Sequence, residues 1–276
     1  PAGAVLFLDG ESMGDPNQRL KLTAANHRLE IRKEGYAPFN TVITPRPGFD
    51  QQLTIDLKTV EQAKAESIPQ TIVTAEGQEM RLIIPAQLAM GAPRREPGRR
   101  SNEAQRVVSL TRPYYASTKE ITNSEFLAFN LNHASGSVGR ALLNQEERPV
   151  VNVTWEQAVA YANWLSKKDS LPLAYRQTNG KWVGVKPLNT GYRLPTEAEW
   201  AWIARYAGTE KTTRFPWGDA MPPTARSGNY ADISARDLVA YHIKSYSDGF
   251  LGSAPGGSFR PNPLGLYDLE GNVAEW

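Results

Sequence analysis

The chain of 276 residues (30.6 kDa) is 40% apolar and 22% charged, an ordinary globular balance that can bury a sizeable core as one large domain or two modest ones. Its 31 lysines and arginines against 29 acidic residues leave a net charge of +2, and no apolar run approaches the ~20 residues of a membrane span, so neither a strongly basic nucleic-acid binder nor a transmembrane helix is expected. Cysteine is absent, which excludes disulfides, Cys–Zn sites, Fe–S clusters and a cysteine nucleophile within these residues; His27, His133 and His242 show no metal-motif spacing. The chain opens on Pro-Ala-Gly-Ala, without an initiator Met or a signal-peptide pattern, and stops at Trp276 inside a motif, so it is read as a piece of a longer protein.

The tryptophans mark a boundary: all seven lie beyond residue 150. Residues 1–57 read as short strands over Ala4–Leu8, Arg28–Arg32, Asn40–Thr44 and Gln52–Leu57. The last three alternate apolar and polar residues as half-buried strands do, and Asp9-Gly10, Gly35-Tyr36 with Pro38, and Pro45–Gly48 supply turn chemistry. The pattern predicts a small β-sandwich. Residues 58–76, with a short helix at Val60–Glu66 ended by Pro69, read as a linker. A new domain starts near Glu79–Pro85 and runs within 77–276.

The basic cluster of Arg94, Arg95, Arg99, Arg100 and Arg106, broken by Glu96 and Glu103, reads as a solvated loop, with phosphate or partner binding as the other reading. Further on, Asn123 is expected to cap a helix with Phe126 and Phe129 on one face. Thr154 with Gln157, and Thr196 with Glu199, are capping boxes opening two more helices. Leu171–Gly191 reads as a hairpin around Thr178-Asn179-Gly180. Residues 207–265 are rich in Gly, Pro, Asn, Asp and Ser; a loop region this long is functional or needs an ion to hold it.

Two resemblances rest on these segments. Residues 1–57 resemble a PEGA domain of bacterial envelope proteins through Pro1-Ala2-Gly3-Ala4, Leu8-Asp9-Gly10, Gly14, Asn26-His27-Arg28-Leu29 and Lys33-Glu34-Gly35-Tyr36-Ala37-Pro38. From about Leu82 onward the chain resembles the formylglycine-generating-enzyme (sulfatase-modifying factor) family. That likeness is carried by Met90-Gly91, Glu120–Phe126, Arg148–Trp155 with Ala158–Tyr161, Tyr192–Trp200, Phe215–Asp219 and Asn262–Trp276. It implies an α+β class: a small β-sandwich followed by an irregular fold related to C-type lectins, incomplete at its C-terminus.

The family resemblance also implies two structural calcium sites. One would use the Asn229 and Asp248 side chains with the Tyr230 and Phe250 carbonyls. The other would use the Asp268 and Glu275 side chains with the Gly271 and Val273 carbonyls. Hard cations of this kind take 6–8 oxygen ligands, and Gly249 and Gly271 allow the tight turns that aim carbonyls inward. The alternative for Asp248 and Asp268 is turn capping. In the family, activity rests on a copper-holding cysteine pair C-terminal to the last motif, so no catalytic residue is named here, and copper enters only with residues beyond Trp276. Formylglycine generators also carry a long Trp-containing stretch where this chain has the short Asn130–Arg148. The expected function is therefore a non-catalytic protein of the periplasm or cell surface that recognises a protein or glycan partner. A copper-dependent oxidase making formylglycine is the alternative, and a non-haem iron enzyme of the ergothioneine-synthesis type is the third reading.

Overall fold

The computed structural model describes residues 3–96, 98–206, 215, 217–269 and 271–276. Pro1, Ala2, Pro216 and Glu270, which belong to motifs quoted above, and residues 207–214 of the expected loop region lie outside them. The chain forms two compact units, Pro1–Pro69 and Gln70–Trp276. This boundary falls inside the stretch read as a linker. That stretch is itself folded, with helix α1 in the first unit and strand β5 in the second.

In the first unit β1 (Val5–Leu8), β2 (Glu11–Gly14), β3 (His27–Arg32) and β4 (Phe39–Ile43) form one antiparallel sheet in the order β2-β1-β3-β4, followed by α1 (Val60–Ser67). Alternation puts Ala4, Leu6, Leu29 and Ile31 on one face beside Phe39 and Ile43 of β4, and Leu20, Ile55 and Leu57 pack against them. The expected sandwich is thus corrected to a single sheet among the described residues. Gln52–Leu57 alternates as a strand would, yet it forms no ladder. Ile55 and Leu57 lie on the apolar face, and one-sided burial needs the same period whether or not the backbone pairs at an edge.

The turn after β1 holds a charged clamp. Asp9 (φ 53°) accepts the Arg28 N–H at 2.8 Å, and its other oxygen lies 2.7 Å from Nδ1 of His27. The bond to Asp9 raises the His27 pKa, and the bond to His27 lowers that of Asp9. A raised histidine contributes stability that is complete below its unfolded pKa and lost as pH rises through the folded one. A lowered aspartate contributes stability present above its unfolded pKa and lost as pH falls. The clamp therefore acts best in mildly acidic solution. The first unit is expected to melt at a higher temperature at pH 5.5 than at pH 8, and His27→Gln should remove the difference. Identical profiles for the two proteins would refute the assignment.

The second unit has a three-stranded antiparallel sheet of order β5-β6-β9, from β5 (Thr71–Val73), β6 (Glu79–Ile83) and β9 (Tyr114–Ser117), and a two-stranded ribbon from β7 (Gln87–Met90) and β8 (Arg106–Ser109). Then come α2 (Asn123–Phe129), the hairpin β10 (Ser137–Val138) and β11 (Ala141–Leu142), α3 (Trp155–Lys168), the hairpin β12 (Tyr175–Thr178) and β13 (Lys181–Gly184), and α4 (Glu197–Arg205). Ile83, Leu88, Met90, Trp202, Ile203 and Leu266 make one core, joining sheet, ribbon, α4 and the C-terminal loops. Val159, Ala162 and Leu165 are the buried face of α3, at the expected helical spacing. No helix among the described residues is long and apolar enough to cross a membrane.

Thr154 and Thr196 cap α3 and α4 with full capping boxes, as read from sequence. At α2 the cap is Thr122, paired with Glu125, and Asn123 is the first helical residue. The reason is tertiary. Asn123 is buried, and its Nδ2 donates to the Leu143 and Gln145 carbonyls at 2.7 and 2.9 Å, tying the 143–148 stretch to the helix. The hairpin in Leu171–Gly191 forms as expected, with Asn179 (φ 51°) and Gly180 (φ 74°) both left-handed at its turn.

Candidate metal centre

Beyond α4 the described residues are mostly irregular, and side-chain hydrogen bonds replace ladders. Asp232, fully buried, is the first organiser. Its Oδ1 accepts the Ser234 N–H (2.7 Å) and its Oδ2 the Asp248 N–H (2.8 Å), which locks the 229–235 limb to the 246–250 limb. Asp248 reciprocates: Oδ2 accepts the Tyr230 N–H at 2.9 Å and Oδ1 the Phe250 N–H at 2.8 Å. The Phe250 carbonyl accepts from the Ser234 hydroxyl at 2.9 Å. Asn229 spends its amide on the Gly252 carbonyl (2.7 Å) and on Oδ1 of Asn272 (2.9 Å). All four residues of the first expected calcium set therefore lie on these two limbs. Burial raises the Asp248 pKa, the two amide bonds oppose the shift, and the neighbouring Asp232 adds to it.

The second expected set is arranged differently. Asp268 (φ 58°) is 7% exposed; its Oδ2 accepts the Gly257 N–H at 2.5 Å, while its Oδ1 is buried without a partner. Glu275 is exposed as a residue, yet its carboxyl group accepts from the Trp200 indole and sits among enough protein for desolvation to raise its pKa. The Gly271 carbonyl accepts the Val273 N–H at 2.9 Å. Gly271 has no alternative residue: a Cβ there would stand 2.3 Å from the Asn229 carbonyl oxygen and 2.9 Å from the Tyr230 ring.

Two residues outside the expected sets complete the picture. Glu120 has Oε1 buried without a partner, while Oε2 accepts from Asn272 Nδ2 at 2.8 Å. Burial, followed by repulsion from Asp268 and then from Glu275, pushes its pKa up to about 9. Asn272 (φ 67°) is the junction. Its Oδ1 accepts from Asn229 and from the Ala254 N–H, its Nδ2 reaches Glu120, and its N–H bonds the Asn229 carbonyl at 2.9 Å. Both residues stand inside the motifs quoted for the family resemblance, which did not single them out.

Glu120, Asp268 and Glu275 thus share one desolvated region, with two carboxylate oxygens orphaned. A buried anion of this kind is costly unless paired. Among the described residues no three Asp, Glu or His side chains form a ready ligand cage by themselves, so a cation here would also recruit carbonyl oxygens, as calcium does. Carboxylate and carbonyl oxygens are the donor type that calcium takes. In the first set both Asp248 oxygens already hold amide donors, and no orphaned carboxylate oxygen marks a cation position.

The hairpin β12–β13 forms one wall of a cleft of about 320 Å³, lined with Trp155, Tyr175, Leu188, Arg193 and Trp276. Its charged lining residue, Arg193, is held in a two-point ion pair with Glu199, at 2.7 and 2.5 Å.

The sulfatase-modifying factor enzyme 1-like domain model matches residues 58–276, and the PEGA domain model matches residues 1–61. The chain belongs to the sulfatase-modifying factor family. Among the family's curated relatives it is 34% identical to the formylglycine-generating enzyme of Thermomonospora curvata over 138 residues, 50% of this chain and 35% of that one. It is 29% identical to the chaperone protein LppX of Paenibacillus barcinonensis over 178 residues, 59% of this chain and 61% of that one. The chain therefore spans about a third of the first relative's length and less than two thirds of the second's. The solved structure of PvdO from Pseudomonas aeruginosa aligns with a TM-score of 0.51 at 25% identity, covering 75% of this chain and 74% of PvdO. The fold is accordingly that of the sulfatase-modifying factor family, mixed α and β with few helices, behind an N-terminal PEGA domain.

Proposed function

We propose that the chain is a non-catalytic recognition or assembly protein of the bacterial cell envelope, in the periplasm or at the cell surface, with its second unit serving as a calcium-braced, lectin-like scaffold. The observation that carries this reading is the fold of Asn130–Arg148. After Asn130 caps α2, the segment makes the short hairpin β10–β11, tied back through Asn123, and it contains no tryptophan. In the formylglycine generators that the chain resembles, a longer Trp-bearing segment stands here and helps to form the substrate groove. The likeness to a chaperone over more of its length than to the oxidase points the same way. The envelope location, and a protein or glycan as partner, rest on the PEGA domain.

Calcium is proposed at Asp268, Glu275 and the Gly271 and Val273 carbonyls, with Glu120 beside them. Bound there, calcium supplies positive charge to carboxylates that burial holds apart from water. The set of Asn229, Tyr230, Asp248 and Phe250 is proposed on the resemblance alone. The oxidase reading is kept because of the 34% identity to a formylglycine-generating enzyme; its copper would need cysteines, which residues 1–276 lack.

Positioning of a substrate is worth roughly 7–11 kcal/mol of barrier in well-oriented reactions, so a groove short of one wall should be a poor catalyst. The copper-loaded full-length protein, incubated in air with a sulfatase-type Cys-x-Pro-x-Arg peptide, is expected to leave the thiol unconverted by mass spectrometry. Sustained aldehyde formation would replace the recognition reading with the oxidase.

A further inference from the structure

The basic cluster between β7 and β8 is more ordered than a solvated loop. Its ends are closed by a bridge between Ala92 and Ala104 and by the Ala92 N–H on the Glu103 carbonyl at 2.9 Å. Within it, turns run from Glu96 to Pro93, from Arg99 to Glu96 and from Glu103 to Arg100, with N–H to carbonyl distances of 2.9, 3.2 and 3.1 Å. Arg99 is a strut, its Nε donating to the Ala92 carbonyl at 3.1 Å. The Glu103 carboxylate turns inward and accepts the Arg100 backbone N–H at 3.0 Å.

One consequence is a set of cations without anions. Arg94, Arg95 and Arg100 are exposed, and among the described residues none of them has a carboxylate within ion-pair distance. Arg106, at the loop's far end, only reaches Glu197 at 3.9 Å. Residues 93–106 hold five arginines against two glutamates, in a chain of net charge +2, so the rest of the molecule is slightly acidic. An excess of three positive charges is thus gathered in these fourteen residues.

We propose that loop 93–106 docks an acidic polypeptide segment, with Arg94, Arg95 and Arg100 gripping its carboxylates. Guanidinium is the group suited to this, since its planar fork meets a carboxylate with two parallel hydrogen bonds, and the loop uses arginine throughout and no lysine. Other polyanions fit less well. The loop has no aromatic side chain on which a base could stack. It also has no large apolar side chain between Arg94 and Arg106 to enter a bilayer. A backbone held by its own turns needs little ordering on docking, which favours a short complementary segment. Docking of this kind holds whether the second unit is a scaffold or an enzyme.

The test uses the intact chain and fluorescence anisotropy with a labelled peptide of alternating Glu and Gly, at low ionic strength. Binding is expected, weakening as salt is raised. R94E/R95E/R100E should lower the affinity by about tenfold or more, as should the milder R94Q/R95Q/R100Q to a smaller extent, while R176E/R260E changes it less than about twofold. All variants alter exposed side chains and should keep the parent melting temperature. Absence of binding at low salt, an equal loss in R176E/R260E, or tighter binding to single-stranded DNA or to phosphatidylglycerol vesicles than to the peptide would each overturn the proposal.

Discussion

Replacing Arg193 by Ala is expected to destabilise the second unit by about 3–5 kcal/mol, the usual result of leaving a buried charge unpaired. Glu199 is buried and Arg193 partly buried, with side-chain exposures of 9% and 19%. Glu199 is also the capping-box partner of Thr196, accepting its N–H at 2.8 Å, so the site ties the start of α4 to the chain before it. Burial alone would raise the Glu199 pKa; the Arg193 bonds and the Thr196 amide outweigh it, and the net value lies below the usual carboxylate range. In the parent the pair thus contributes stability above the unfolded pKa, and that contribution is lost as pH falls through the folded one. Without Arg193 only the burial remains in force with the cap. Glu199 then binds its proton more tightly, and the variant should lose stability as pH rises. At roughly 2–4 °C per kcal/mol for a unit of this size, thermal melts should show a drop larger at pH 8 than at pH 5. Arg193→Met with Glu199→Gln keeps the capping box and removes the charge, and should recover most of the loss. A cost below about 1 kcal/mol for Arg193→Ala, or the same drop at both pH values, would show that the pair is not held as described.

Calcium is expected to raise the melting temperature of the second unit by roughly 5–11 °C, corresponding to about 2.7 kcal/mol at a hundredfold excess over Kd. The shifts at Glu120, Asp268 and Glu275 give the effect a pH signature. Each carboxylate has a raised folded pKa, so in chelator the stability is greatest at the acid end. It falls as pH rises from the usual carboxylate value through the folded one, about 9 for Glu120. Melts in chelator should therefore decline from pH 5 to pH 8, and calcium should restore the pH 8 value. Glu120→Gln removes the most strongly shifted of these charges, so in chelator at pH 8 it should be more stable than the parent and respond less to calcium. Asp268→Asn, which tolerates the left-handed backbone at that position, should also blunt the calcium response. A melt unchanged by chelator, calcium and pH would remove the metal centre from the account.

Much of the local structure was legible in the sequence because its causes are local. The capping boxes at Thr154 and Thr196 need only residues three apart, and the Asn179-Gly180 turn needs only residues that accept left-handed backbone. The buried face of α3 follows from helical spacing. The family likeness was legible for a related reason: its motifs are contiguous runs. Tertiary structure decided what depends on distant partners. Thr122 displaced Asn123 as the α2 cap because Asn123 is claimed by carbonyls twenty and more residues away. Gln52–Leu57 alternates like a strand but covers the sheet without pairing, since the period reports which side is buried and not what the backbone bonds to. Asp248, Asp268 and Glu275 were readable as oxygen donors by likeness, whereas Glu120 enters their neighbourhood across 148 residues of chain before Asp268 and carries no local pattern that says so. Asn272 was equally silent, because its role as a junction exists only where four segments converge. Residue type and short-range spacing determine caps, turns and faces; which buried charges meet, and which are left without a partner, is set by the fold that desolvates them together.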